Sequence, residues 1–357
     1  MRPRPGVARS PTEPRLAIGT ARELWTAERT YLNTASYGLP PRPSWDALQA
    51  VLADWRHGRT SWEPWGYATE EARIAFARLV GARAEDVATA ASASQLISLA
   101  AASLPEGARV VVPEGEFTSL VFPLLVRTEN VRTVPLHDLA EAIGPETDLV
   151  GVSAVQSSSG EVADLEAICA AAEAANALLL VDATQAAGWL PLDATRIDFL
   201  VAAGYKWLMC PRGTAFMSVR PERLDDVPPL AANWWAGTDP LATYYGGPLR
   251  LAADARRLDQ SPAWFSWAGS APSLELIERI GVDAIHAHDV ELANRFRAGL
   301  GLPPGDSAIV SAEREGADER LAAAGIQAAV RAGSLRVSFH VYNTERDVDE
   351  ALSALLD

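Results

Sequence analysis

The sequence is short of several things. Of its 357 residues only two are cysteine, three methionine and five histidine. Cys169 and Cys210 stand 41 positions apart in unrelated surroundings. That excludes a disulfide framework and a thiolate metal site, and it fits a reducing, cytoplasmic setting. The one close histidine pair, His286-x-His288 on an expected surface helix, does not put both rings on one helical face. A metal hydrolase is therefore set aside, and no metal is expected. No apolar run approaches the roughly 18 residues of a membrane span, so no membrane partner is expected. Positive charge is scarce too. Lys and Arg number 31 against 46 Asp and Glu, a net charge of −15. Such a surface repels phosphate backbones, which argues against nucleic acid as a partner. Residues 1–14 are rich in Pro and Arg without the apolar stretch of a signal peptide, and read as a loose arm.

What is present is an ordinary globular composition, 48% hydrophobic and 22% charged, with length enough for one large domain or two packed ones. The middle of the chain alternates strand-like and helix-like segments. Residues 108–112, 131–135, 148–155, 177–181, 197–202 and 214–219 read as strands, several of them continuously apolar and so buried on both faces. Residues 164–175 have helical spacing, with Asn176 as a stop. Strands alternating with helices imply βαβ units and a mostly parallel sheet. The fold class is therefore α/β, with a large doubly wound sheet domain. After 221–229 comes an aromatic and Gly-rich stretch, 233–267, leading to a helix at 271–279. The last third reads as a smaller α+β unit: helix 283–300, strands 308–311, 327–331 and 335–340, and a closing helix 344–355 with Thr344 as its cap. Ala332-Gly333 is a hairpin signal. The expected division is an arm at 1–25, a large domain at 26–235, and the aromatic segment with the small domain at 236–357.

Strand 177–181 ends in Asp182, and in open α/β sheets ligands sit at the carboxyl ends of strands. Lys206 follows 24 residues later, just past the next strand, inside Gly204-Tyr205-Lys206-Trp207. Each residue alone has an ordinary explanation: strand-end Asp residues cap helices, and lysines are usually solvated. One use fits both. A Schiff-base lysine carries pyridoxal 5'-phosphate (PLP), and a carboxylate pairs with the pyridinium nitrogen so that the ring acts as an electron sink.

The segment VDATQAAGWLPLDATRIDFLVAAGYKWLMCPRGTAFMSV, residues 181–219, resembles the class V aminotransferase family of fold-type I PLP enzymes, which includes cysteine desulfurases, kynureninase and isopenicillin N epimerase. The resemblance implies that Asp182 meets the pyridine nitrogen, Gln185 the phenolic oxygen, and that Lys206 is the Schiff-base lysine and proton shuttle. Pro211-Arg212-Gly213 matches the turn after it. Tyr31-Leu32-Asn33-Thr34-Ala35 is similar to the family's opening segment, which implies Asn33 and Ala35 beside the substrate carboxylate. Ser92, Ala93 and Ser94 occupy the place of its phosphate loop, at a helix N-terminus. The stretch 335–344, LRVSFHVYNT, is close to its R-x-S-x-x-x-YNT and makes Arg336 the substrate-carboxylate fork. Ser261 stands where the family often has a Thr reaching the phosphate of the neighbouring subunit. The family's active sites lie at a dimer interface, so a homodimer is implied.

The departures bear on the reaction. Where desulfurases place a His over the ring, the chain has Phe117, which stacks but carries no proton. Cys210 lies four residues past Lys206 in a fixed turn, and Cys169 lies among alanines, so a persulfide-forming desulfurase is disfavoured. Tyr205 precedes the lysine, as in kynureninase, where Tyr helps hold the phosphate. Ser157 or Ser158 takes the place of an Asn that contacts the cofactor. Trp62, Trp65, Trp234, Trp235, Tyr244, Tyr245, Trp264 and Trp267 are expected to crowd the cleft, as subunit interface or as a pocket for a flat side chain. The segment EFTS and the run SPAWFSW resemble lyase-like members, among them ergothioneine-pathway C–S lyases. The expected function is a PLP-dependent β-elimination on a cysteine-type amino-acid conjugate through an α-carbanion. Epimerisation and transamination are the alternatives. Relatives that have lost catalysis are disfavoured because Asp182, Gln185, Lys206 and Arg336 are all present.

Overall fold

In the computed structural model, which describes residues 15–356, the alternating segments become a seven-stranded sheet. Its strands are β1 (Val87–Ala90), β2 (Val110–Pro113), β3 (Val131–Val134), β4 (Leu149–Ser153), β5 (Leu178–Asp182), β6 (Phe199–Ala203) and β7 (Ala215–Val219). Their spatial order is β1-β7-β6-β5-β4-β2-β3. The run from β3 to β6 is parallel, and β7 lies antiparallel between β6 and β1. Strand alternation splits the core in two. Val150, Val152, Leu179 and Val181 pack on one face with Phe76, Ile168 and Ile277 from three helices. Leu149, Leu180 and Phe199 pack on the other with helices Ala93–Ala102 and Thr118–Arg127. A sheet covered on both faces needs apolar strands without a solvent side, which explains the continuous runs. This is the fold-type I architecture expected from the resemblance.

The local signals behave as their chemistry requires. Asp164 caps helix Leu165–Ala175 by accepting from the Ala167 N–H at 3.0 Å. Asn176 ends the helix in a left-handed conformation, φ 55°. In the small sheet, β8 (Ile309–Ala312), β9 (Ala329–Arg331) and β10 (Ser334–Ser338) lie in the order β8-β10-β9. Ala332 and Gly333 both take positive φ, 49° and 82°, as a two-residue hairpin turn demands. Thr344 and Asp347 bond reciprocally at the start of helix Glu345–Leu356. The segment around residues 31–33 runs beside the small sheet, where Tyr31 bridges to Gln327 and Asn33 to Ser338.

Two features lie beyond the expected elements and one expectation needs correction. Trp62 and Trp65 come after helix Arg42–Arg56 and open another, Trp62–Leu79, where Pro64 is tolerated because first-turn N–H groups have no intrahelical partner. Strand β1, VATA, was not expected: two of its four residues are alanine, a poor strand former. The helix bearing His286 and His288, Val282–Gly299, is not merely a surface element: both rings are half-buried, and His286 stacks on Trp189 at 5.6 Å. Of the expected arm, residues 1–14 lie outside the described residues, while the Leu16 N–H bonds to the Arg279 carbonyl at 2.9 Å. No helix among the described residues is long and apolar enough to cross a membrane.

Candidate active site

The parallel strands deliver their carboxyl ends to one cleft, walled by Ser94, Phe117, Asp182, Tyr205 and Lys206 among others. Asp182 closes β5, and Lys206 follows β6 in a turn that presses on its neighbours. The Lys206 carbonyl accepts from the Met209 N–H at 3.0 Å. A Cβ on Gly38 would lie 2.0 Å from that same oxygen, so the chain must be bare there. The lysine side chain is almost wholly buried, 6% exposed, with its amine 5.4 Å from the Phe117 ring centre and 5.9 Å from that of Tyr205.

Burial decides the electrostatics. It pushes the Lys206 ammonium down to about 8, against an opposing pull from Asp182; Arg336, Arg331 and Arg212 press it further down. Burial likewise raises the Asp182 carboxyl, while the Thr184 backbone N–H, donating at 2.8 Å, and the charge of Lys206 draw it back. Arg336 is 2% exposed, and burial takes it down to about 10. It donates to the carbonyl of Ser157 and to the hydroxyls of Ser157 and Ser36, all neutral acceptors. Its Nε is buried without a partner. A buried guanidinium lacking a carboxylate is a site prepared for an anion.

Most of the residues singled out by sequence meet here. Ser92, Ala93 and Ser94 line the cleft where helix Ala93–Ala102 begins. The Ser92 side chain caps no backbone N–H, leaving the helix N-terminus to the cleft. Phe117, 47% exposed, and Tyr205 form aromatic walls. Gln185 is heavily engaged. Its amide N–H groups go to the Ala35 carbonyl and the Ser157 hydroxyl, both at 3.0 Å, while its oxygen accepts from the Trp207 indole at 2.9 Å. Ala35 thus touches the site through Gln185. Asn33 does not line the cleft, and its side-chain oxygen is buried without a partner. Ser261 is exposed and away from the cleft wall of its own chain. The expected crowd of aromatics is a separate cluster. Trp62 meets Trp234 edge-on at 5.1 Å, Trp235 at 6.1 Å and Trp264 at 6.0 Å, and none of these lines the cleft within one chain.

Sequence reasoning missed Glu116. Its carboxylate accepts from the Ser153 N–H (2.7 Å), the Ser153 hydroxyl (2.6 Å) and the Gln156 amide (2.6 Å), bracing the cleft floor. Burial raises its proton affinity. It missed Arg212, whose guanidinium lies 4.8 Å over the Tyr205 ring and donates to the Tyr37 hydroxyl at 3.1 Å. One available signal went unused: Lys206 is the only lysine in the chain.

The profile of the family described as Aminotransferase class-V matches residues 63–318. The chain belongs to that family. Among class V relatives, it is 29% identical to an uncharacterized aminotransferase, YcbU, of Bacillus subtilis, over 91% of this chain and 93% of that protein. It is 28% identical to the isopenicillin N epimerase of Streptomyces clavuligerus, with the same coverage. The fold is similar to that of the cystine C–S lyase C-DES, solved with its reaction product cysteine persulfide: TM-score 0.82, 20% identity, 93% of this chain and 98% of that one. Class V members are PLP enzymes, and the donor set of the cleft fits that cofactor. An uncapped helix N-terminus suits a phosphate, a buried carboxyl suits a ring nitrogen, and an amine of lowered proton affinity suits an aldehyde. The chain is a class V enzyme with pyridoxal 5'-phosphate as its cofactor.

Proposed function

We propose that this chain is a C–S lyase, releasing a thiol from a cysteine-type amino-acid conjugate by β-elimination, and that it works as a homodimer in the cytoplasm. PLP, when bound, supplies an electron sink for charge developing at the substrate α-carbon. Lys206 would hold it, with Asp182 at the ring nitrogen, the N-terminus of helix Ala93–Ala102 and Tyr205 at the phosphate, Gln185 and Ser157 at the ring edge, Phe117 on its face, and Ser261 reaching from the second subunit. Arg336 binds the substrate α-carboxylate, beside the backbone of 33–35, and so aims the α-proton at the amine.

The observation that carries this reading is the pairing of Phe117, which has no proton to give at the face of the ring, with Lys206, whose proton affinity is lowered by burial and which is the amine that lines the cleft. Elimination needs one base. Nζ takes the α-proton, and the C–S bond breaks with its electron pair leaving on sulfur as the thiolate. Water then hydrolyses the released enamine to pyruvate and ammonia. Epimerisation needs a second acid on the opposite face. Neither cysteine replaces it: Cys210 is buried, with its thiol pushed up to about 12, and Cys169 is buried and raised as well.

The test is turnover of cysteine S-conjugates by the purified holo-protein. Pyruvate and ammonia in excess over enzyme support the lyase. Rates no better than free PLP would remove it. Solvent deuterium at Cα without keto acid would mean epimerisation, and one equivalent of keto acid with loss of the yellow colour would mean transamination. Borohydride should fix the cofactor mass to Lys206, the one lysine available, and Lys206→Ala should stay colourless.

A further inference from the structure

Alternate residues of an extended strand face the same way, and along β10 and just beyond it three of them reach across to the large domain. Arg336 donates to the Ser36 hydroxyl at 2.8 Å and to Ser157. The Ser338 hydroxyl accepts from the Ala35 N–H at 3.0 Å. His340 Nε2 meets the carbonyl of Trp207 at 3.0 Å. Trp207 is the residue after Lys206. A single stretch of backbone therefore carries the guanidinium that awaits a carboxylate and, four residues on, the ring that grips the lysine turn.

His340 is fully buried, as is its second partner. Nδ1 lies 2.9 Å from the carboxylate of Asp289, on helix Val282–Gly299. A carbonyl only accepts, so Nε2 carries a proton, and Asp289 fixes that arrangement by sharing the proton at Nδ1. His286 and His288, on the same helix, are the other histidines that bear on Asp289. The grip has little slack. The Trp207 indole is tied to Gln185 at 2.9 Å, and a Cβ on Gly188 would come within 2.8 Å of the Trp207 carbonyl. His340 also sits edge-on to the Trp207 ring at 5.3 Å.

We propose that His340, oriented by Asp289, is a positioning residue for Lys206. It fixes the carbonyl that follows the lysine and so holds the amine in register with Arg336. The proposal rests on the reading of Lys206 as the cofactor-bearing amine. Nothing in it asks His340 to exchange a proton with substrate.

The test compares holo-protein variants with wild type. His340→Phe keeps a ring against Trp207 and removes the donor. It should still take the borohydride-fixed cofactor on Lys206, while kcat falls by about 10- to 100-fold, KM changes by less than about 3-fold, and the pH midpoint of the yellow absorbance moves. Asp289→Asn keeps a hydrogen-bonding partner for Nδ1 and should stay within about 3-fold of wild type, whereas Asp289→Leu should match His340→Phe. A His340→Phe protein with a lowered Tm but wild-type kcat and pH midpoint would make His340 merely structural and overturn the proposal. If His340→Phe does not fold, the Asp289 pair decides, and equal behaviour of Asn and Leu at 289 overturns it. A wild-type protein unlabelled at Lys206 would sink the underlying reading of the site. A labelled wild type with an unaltered His340→Phe sinks the positioning role alone.

Discussion

Burying an amine has a cost that can be measured in the cofactor-free protein. Lys206 is 6% exposed, and its proton affinity falls from an ordinary 10.5 to about 8, chiefly through burial. Each tenfold change is worth about 1.4 kcal/mol, so the protonated lysine costs the cofactor-free fold roughly 3 kcal/mol. The sign follows from proton counting. Below pH 8 both folded and unfolded chains hold the proton, and the full cost is present. Between pH 8 and 10.5 the unfolded chain binds more protons than the folded one, so stability rises with pH. Above 10.5 neither holds it and the cost is gone. Lys206→Met, of similar length and without charge, should therefore stabilise the cofactor-free protein at pH 7, and the advantage should shrink by roughly 3 kcal/mol by pH 10.5. Urea unfolding of both proteins across pH 7 to 10.5 measures this. Comparison of the two cancels other titrations, and the pH-dependent part is free of packing differences. A stability difference that stays flat over that range would refute the claim that Lys206 sits charged in a desolvated site.

Arg336→Gln should raise KM for a carboxylate-bearing substrate by about 100-fold, from the loss of about 3 kcal/mol of charge-assisted bonding, while cofactor content stays unchanged by absorbance. Asp259 and Arg73 form a wholly buried pair at 2.6 Å, and Asp259 also accepts from the Thr89 N–H at 2.7 Å. Asp259→Ala leaves the guanidinium with Glu70 at 3.0 Å as its remaining carboxylate and the Thr89 N–H unbonded, and should cost about 3 kcal/mol in urea unfolding. Replacing both Cys169 and Cys210 by Ala should leave turnover within about twofold, because buried, raised thiols do not serve as nucleophiles; loss of all activity would restore a persulfide mechanism.

The large sheet was legible because its chemistry is local. An apolar run stopped by Asp182, a helix stop at Asn176, a cap at Thr344 and a hairpin at Ala332-Gly333 each need only neighbouring residues to make sense. The candidate site was legible where one short segment carries several groups, as 181–219 carries Asp182, Gln185 and Lys206. Contacts made across the fold were not. His340 lies 51 positions from Asp289 and 133 from Trp207, and Glu116 lies 37 from Ser153. No period or spacing encodes such meetings. The tryptophans' place beside and not within one chain's cleft was hidden for the same reason, since a crowd in composition says nothing of which surface it covers.

One compositional fact ties the chemistry to the chain. Of 31 basic residues, 30 are arginine and the remaining one is Lys206. Arginine stays charged at any physiological pH. At position 206 it would fail. A guanidinium does not give up its proton, so it could not take the part proposed for Lys206, a neutral amine that bonds an aldehyde and then removes a proton from carbon. A buried site beside Asp182 accepts a group that is neutral part of the time and rejects one that is always charged. On the proposed reading, the lone lysine in a chain otherwise written in arginine marks the position where the ability to lose a proton is needed.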